Sequence, residues 1–224
     1  MRDGARPIAP LDLTLYYVTA AAERTPRGLL KTVEDALAGG VTLVQYRGAH
    51  ACRRIAFDEA LALRRFLARR GIPLLVNDHI DLALAIEADG AHIGQNDLPV
   101  AVARKLLGPR RHLGLTINNT AHLEQARAGG ELALVDYLGI GPVFPTQTKA
   151  NPAPTVGLNR LRELVGKSPL PVVAIGGITD ATAASVRATG VSGIAVVSAI
   201  SAAPDVTAAA RALRATPPPP VTTG

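Results

Sequence analysis

Short apolar runs alternate with longer helix-patterned segments along nearly the whole chain. Runs at 13–18, 43–47, 74–77, 91–93, 112–116, 137–140, 172–175 and 194–197 are rich in Val, Leu, Ile and Ala and read as strands. Each is followed by a segment with helical spacing, at 26–38, 54–70, 80–87, 100–107, 120–128, 158–165, 179–189 and 206–215. Several of these run into glycine before the next strand, at Gly39-Gly40, Gly71, Gly129-Gly130 and Gly190. Glycine there supplies a left-handed helix cap. Strands that are apolar along their length are buried on both faces, as in a parallel sheet covered by helices. Eight consecutive strand–helix units favour closure into a single TIM (β/α)8 barrel over an open doubly wound sheet. The expected organisation is an α/β fold with an N-terminal extension over 1–12, the barrel over 13–215 and a proline-rich, disordered tail over 216–224.

Composition narrows the function. The 224 residues suit one barrel, and with hydrophobic residues at 48% and aromatics at 3% its core is aliphatic. The net charge of +6 lies largely in arginine clusters such as Arg64-Arg65, Arg69-Arg70 and Arg110-Arg111. Nucleic-acid binding calls for a basic stripe with stacking aromatics, and the aromatics are too few. A phosphorylated small molecule makes better use of the charge. Cys52 is the single cysteine, which excludes an intramolecular disulfide and a cysteine-based metal site. No apolar run reaches the length of a membrane span, and residues 1–10 lack the apolar core of a signal peptide. A cytoplasmic protein without a membrane partner is expected; a homo-oligomer is compatible with the sequence.

In a TIM barrel the chemistry sits where strands run into the following loops. Nearly all the polar residues that interrupt strand ends fall there: Gln45 and Arg47, Asn77-Asp78, Gln95-Asn96-Asp97, Thr116, Thr146-Gln147-Thr148-Lys149, Gly176-Gly177 and Val197-Ser198. Asp78 and Asp97 leave neighbouring strands and could offer hard oxygen ligands to Mg2+ alongside substrate phosphates. The plainer alternative is that each caps the helix after it. Arg47 at the mouth needs an anion, either a bidentate diphosphate or a rim carboxylate. Lys149 sits in a long irregular loop over 141–157, the kind that often serves as a lid. Gly176-Gly177 and Val197-Ser198 end the seventh and eighth strands, the usual phosphate cradle of such barrels. The histidines are scattered, and only His50 and His79 fall near a strand's carboxyl end. With no Ser-His-Asp order and no strand-borne Schiff-base lysine, the rim looks built for anions and metal, which points to displacement of a phosphate-type leaving group.

Taken together, these stretches resemble the thiamine phosphate synthase family. The matching segments are Gly40-Val-Thr-Leu-Val-Gln-Tyr-Arg47, Leu75-Val-Asn-Asp78, Ala88-Asp-Gly-Ala-His-Ile-Gly-Gln-Asn-Asp97, Gly139-Ile-Gly-Pro-Val-Phe-Pro-Thr-Gln-Thr-Lys149 and Ala174-Ile-Gly-Gly-Ile178, in the family's order. The resemblance implies a transferase that couples 4-amino-2-methyl-5-pyrimidinylmethyl diphosphate with thiazole (carboxy)ethyl phosphate, giving thiamine phosphate and diphosphate. It implies that Gln45, Arg47, Asn77, Thr116 and Lys149 hold the pyrimidine diphosphate. Thr146, Thr148, Gly177, Val197 and Ser198 would hold the thiazole phosphate, and Asp78 and Asp97 a Mg2+ cofactor. The family mechanism is dissociative, with Arg47 and Lys149 stabilising charge on the departing diphosphate.

The chain departs from the family at Gln45-Tyr46-Arg47-Gly48-Ala49, where Gln-x-Arg-x-Lys is usual. One expected cation is missing, and His50, Arg53 or Arg54 is the nearest replacement. Two rival readings share the barrel. A thiazole tautomerase-like paralogue would carry an active-site histidine and lack the metal aspartates, whereas Asp97 is present and Thr116 is followed by Ile117-Asn118-Asn119. A non-catalytic phosphate-ligand-binding barrel finds support only in the missing lysine.

Overall fold

The computed structural model describes residues 9–20, 27–48, 52–146 and 154–215. Eight parallel strands close into a barrel in sequence order. They are β1 (Leu15–Val18), β2 (Leu43–Tyr46), β3 (Leu74–Asn77), β4 (Gly90–Ile93), β5 (His112–Ile117), β6 (Tyr137–Ile140), β7 (Val172–Ile175) and β8 (Gly193–Val196). Closure is made by β1 against β8, with Tyr16 opposite Ala195 and Tyr17 opposite Val196. The intervening helices are α1 (Leu29–Ala38), α2 (Arg53–Ala68), α3 (Ile80–Ala85), α4 (Val100–Leu107), α5 (Thr120–Ala128), α6 (Gly157–Lys167) and α7 (Asp180–Arg187), with α8 (Ser198–Ser201) and α9 (Val206–Ala215) after the last strand. The TIM barrel expected from the alternation is the fold observed. The proline-rich tail and most of the N-terminal extension lie outside the described residues.

Strand periodicity splits the apolar residues into two cores. Residues pointing outward, among them Leu15, Val44, Leu74, Val76, Leu113, Leu138, Ile140, Val172 and Ile194, pack under the helices in one large cluster. Alternate positions point into the barrel, where Tyr16, Leu43, Leu75, Tyr137, Val173 and Ala195 form a second, smaller cluster. Leu74, Leu113 and Leu138 are fully buried in the outer shell. Burial of one such leucine stabilises the fold by about 1.5–3 kcal/mol.

Local signals set the helix boundaries. Asn119 caps α5 by accepting the His122 N–H at 2.8 Å, and Thr179 with Thr182 forms a reciprocal capping box on α7. Where two glycines follow a helix, the second turns the chain: Gly130 has φ 72, while Gly129 stays right-handed at φ −77. Two elements lie beyond the alternation, a 3-10 turn at Glu131–Ala133 between α5 and β6 and the four-residue helix α8, which directly follows β8. Among the described residues no helix is long and apolar enough to cross a membrane.

Candidate active site

At the carboxyl ends of the strands the barrel opens into a cavity of about 470 Å3. Its walls are built strand by strand. From β2 and its end come Gln45 and Arg47, and from β3 come Asn77 and Asp78. The turn after β4 adds Gly94, Gln95, Asn96 and Asp97, and β5 adds Thr116. Thr146 enters from the loop after β6, Gly176 and Gly177 from the end of β7, and Val197 and Ser198 from the end of β8. Every sequence-derived site residue that the structure describes is thus in one place. Thr148 and Lys149, with Ala49 and His50, lie outside the described residues.

The two aspartates are wall residues and not helix caps. Asp78 adopts a left-handed backbone with φ 62, and its N–H donates to His92 O on β4 at 2.8 Å. Such a conformation costs on the order of 1–3 kcal/mol in a non-glycine residue, least for Asp and Asn. The cost turns its carboxylate onto the cavity wall, where Asn77 Nδ2 donates to Oδ2 at 2.5 Å. His79, the next residue, occupies the cap position of α3. Asp97 Oδ2 accepts the Gly94 N–H at 2.6 Å, while the cap position of α4 falls to Pro99. Asp97 Oδ1 has no hydrogen bond among the described residues. Those residues contain no cluster of three or more His, Cys, Asp or Glu that could cage a metal. Two carboxylates on one cavity wall, completed by water and phosphate oxygens, suit Mg2+.

The rest of the wall is held by backbone geometry. Arg47 is half-buried at the mouth, and its N–H donates to Thr19 Oγ1 at 2.9 Å. The loop after β6 is zipped to the end of β7, with Val143 N–H on Ile175 O at 2.9 Å and Phe144 N–H on Gly176 O at 3.0 Å. Both ends of the long loop are also tied to one another, Val156 N–H to Pro142 O at 2.8 Å and Gly157 N–H to Val143 O at 3.1 Å. Gly177 has φ 64, and a Cβ there would lie 2.6 Å from Pro145 O and 2.7 Å from Phe144 Cβ. Glycine is therefore required on two counts, and a side chain at 177 would also displace the strand of loop that carries Thr146. Ser198 opens α8, whose first N–H groups have no intrahelical acceptor.

Neither candidate arginine replaces the missing lysine in the described structure. Arg53 pairs with Asp81 and lies 3.1 Å from His79 Nδ1, while Arg54 pairs with Asp58 at 3.0 Å. Neither lines the cavity.

Four polar wall residues fall outside the sequence-derived set, Tyr16, His92, Tyr137 and Asn118. Asn118 Nδ2 bridges to Gly141 O at 2.6 Å and ties the loops after β5 and β6 together. His92 and the two tyrosines sit inside strands, on the barrel-facing side, joined by hydrogen bonds. Burial pushes the Tyr16 and Tyr137 hydroxyls well above the usual phenol range, so both stay protonated. A polar or aromatic residue at an inward position of an otherwise aliphatic strand was the available signal.

A closed β/α barrel that gathers acidic side chains, an arginine and tight glycine turns at the carboxyl mouth defines a TIM-barrel enzyme. The chain belongs to the thiamine monophosphate synthase family, whose model matches residues 15–200. It is 49% identical over 205 residues to a thiamine-phosphate synthase of Chloroflexus aurantiacus, covering 92% of this chain and 93% of the relative. A thiamine-phosphate synthase of Xanthobacter autotrophicus is 47% identical, with 92% and 96% covered. Among solved structures, thiamine phosphate pyrophosphorylase from Pyrococcus furiosus superposes with a TM-score of 0.79 at 36% identity, covering 91% of this chain and 94% of that one. A 3-hexulose-6-phosphate synthase, at 18% identity and a TM-score of 0.68, shares the fold.

Proposed function

We propose that this chain couples 4-amino-2-methyl-5-pyrimidinylmethyl diphosphate with thiazole (carboxy)ethyl phosphate, forming thiamine phosphate and releasing diphosphate. The carrying observation is that every described residue assigned to either substrate or to the metal lines one cavity. Gln45, Asn77 and Thr116 hold the pyrimidine diphosphate together with Arg47 and Lys149. Thr146, Thr148, Gly177, Val197 and Ser198 hold the thiazole phosphate. Asp78 and Asp97 would hold Mg2+, which when bound supplies positive charge to the diphosphate.

The chemistry follows from where charge grows. As the carbon–oxygen bond breaks, its electron pair leaves with the diphosphate, and Arg47 and Lys149 stabilise the charge that accumulates there. The pyrimidinylmethyl cation left behind is captured by the lone pair of the thiazole nitrogen. That nitrogen carries no proton to remove, so the step needs no general base. The substrates and the absence of an apolar span in the sequence support a cytoplasmic site of action.

Incubation with both substrates and Mg2+, followed by assay of thiamine phosphate and diphosphate, tests this reading. Stoichiometric formation of both products is expected, abolished by chelator and restored by Mg2+. Isomerisation of the thiazole without coupling, or ligand binding without turnover, would refute it.

A further inference from the structure

A hydrogen-bonded chain crosses the cavity floor from strand to strand. Gln45 Nε2 on β2 donates to the Tyr16 hydroxyl on β1 at 2.6 Å. The Tyr16 hydroxyl lies 3.1 Å from that of Tyr137 on β6. The Tyr137 hydroxyl lies 2.8 Å from His92 Nδ1 on β4, and His92 Nε2 lies 2.8 Å from Thr116 Oγ1 on β5. The three middle residues are 2%, 1% and 9% exposed for Tyr16, Tyr137 and His92. Polar groups buried this deeply are tolerated only when bonded, and an aliphatic floor would be cheaper.

Neighbouring positions have been cleared to make room. A Cβ on Gly114 would collide with both the Tyr137 ring and His92 Nδ1, and one on Gly139 would lie 2.9 Å from His92 Cε1. Two strands thus give up a side chain so that an imidazole and a phenol can meet.

Each hydroxyl has one proton, so the direction of the first bond sets all the others. If Gln45 donates to Tyr16, the Tyr16 proton goes to Tyr137 and the Tyr137 proton goes to His92 Nδ1. A neutral His92 then carries its proton on Nε2 and donates to Thr116. What remains for the cavity is an acceptor at one end, Gln45 Oε1, and a donor at the other, the Thr116 hydroxyl. The reversed order would turn an amide N–H2 and a hydroxyl acceptor toward the ligand. Facing an exocyclic amine and a ring-nitrogen lone pair of the pyrimidine, those groups would be mismatched at both ends.

We propose that Tyr16, Tyr137 and His92 form a one-way hydrogen-bond relay that fixes Gln45 as an acceptor and Thr116 as a donor, and so selects an aminopyrimidine over its oxo counterpart. The ligand named here rests on the function proposed above, but the proton order does not. The three are positioning residues: they act through Gln45 and Thr116 and do not need to touch the reacting atoms.

The test begins with 15N-histidine-labelled full chain without ligand, in which the two imidazole nitrogens of His92 are resolved by NMR. The relay requires the proton on Nε2 and an unprotonated Nδ1; a proton on Nδ1 overturns it. Tyr137→Phe removes the donor to Nδ1, so the single tautomer should be lost while the fold survives. KM for the pyrimidine diphosphate should then rise about tenfold with KM for the thiazole phosphate changed less than about twofold. An equal rise in both, or an unchanged tautomer, overturns the relay. His92→Gln, which keeps an N–H near the Nε2 position, should retain more activity than His92→Leu, and equal losses count against the relay. Preference for the amino over the oxo pyrimidine diphosphate should be at least about a hundredfold and shrink in Tyr137→Phe. An Nε2 proton in a chain that forms no thiamine phosphate would refute the proposed function and leave the relay standing.

Discussion

The outer and inner faces of the eight strands are built for different ends. Outward-facing Leu74, Leu113 and Leu138 are fully buried against the helices in the large core cluster. On the inward face the same strands carry Gln45, Asn77, His92 and Thr116, which line the cavity. The outer shell is held by apolar area and close packing, whereas the inner layer joins a smaller apolar cluster to hydrogen bonds whose ends stay available to a ligand. Stability is therefore concentrated outside the barrel wall and chemistry inside it, and substitutions on the two faces should read out in different measurements.

Leu138→Ala would break the shell most severely. It removes a fully buried leucine, and the cavity left should cost about 2–5 kcal/mol of unfolding free energy by denaturant titration. KM values of the folded fraction should stay where they were; a large KM change would mean the two faces are not separable. Next in size, Ala49→Lys restores the cation that the family usually carries. A charge-assisted hydrogen bond of about 1.5–3 kcal/mol predicts a coupling rate about ten- to a hundredfold higher. A silent Ala49→Lys together with a severely impaired His50→Ala would show that His50 has taken the role.

Asp97→Asn should lower coupling at least about tenfold, or roughly 1.4 kcal/mol of barrier, with an unchanged denaturation midpoint. A loss of stability in place of activity would return Asp97 to a structural role. The smallest expected effect is at Arg54, whose pair with Asp58 is exposed at 80% and 57%. Arg54→Ala should alter neither the midpoint nor either KM, since exposed pairs contribute little. A raised KM for the pyrimidine diphosphate would instead identify Arg54 as the substitute cation.

Much of this division is legible in the sequence, for physical reasons. Strands buried on both faces stand out as aliphatic runs, and the polar residues at or just beyond their ends, Arg47, Asp78, Asp97 and Thr116, mark the mouth because polar groups at that edge are costly unless something satisfies them. Helix α8 escapes because four residues, Ser198–Ser201, are too few to show a helical period. His92, Tyr16 and Tyr137 escape because they lie within strands and because their partners are remote in the chain, 121 residues apart for the two tyrosines and 45 for His92 and Tyr137. The left-handed turn at Asp78 has no signature beyond the residue type itself. Only closure of the barrel brings these groups together.

A crystal structure grown with thiamine phosphate, diphosphate and Mg2+ tests the central claim most directly. The pyrimidine should lie between Gln45 and Thr116, with diphosphate on Arg47, the metal on Asp78 and Asp97, and the thiazole phosphate against Gly177 and Ser198. Product bound at the opposite end of the barrel, or a metal held away from both aspartates, would contradict the account.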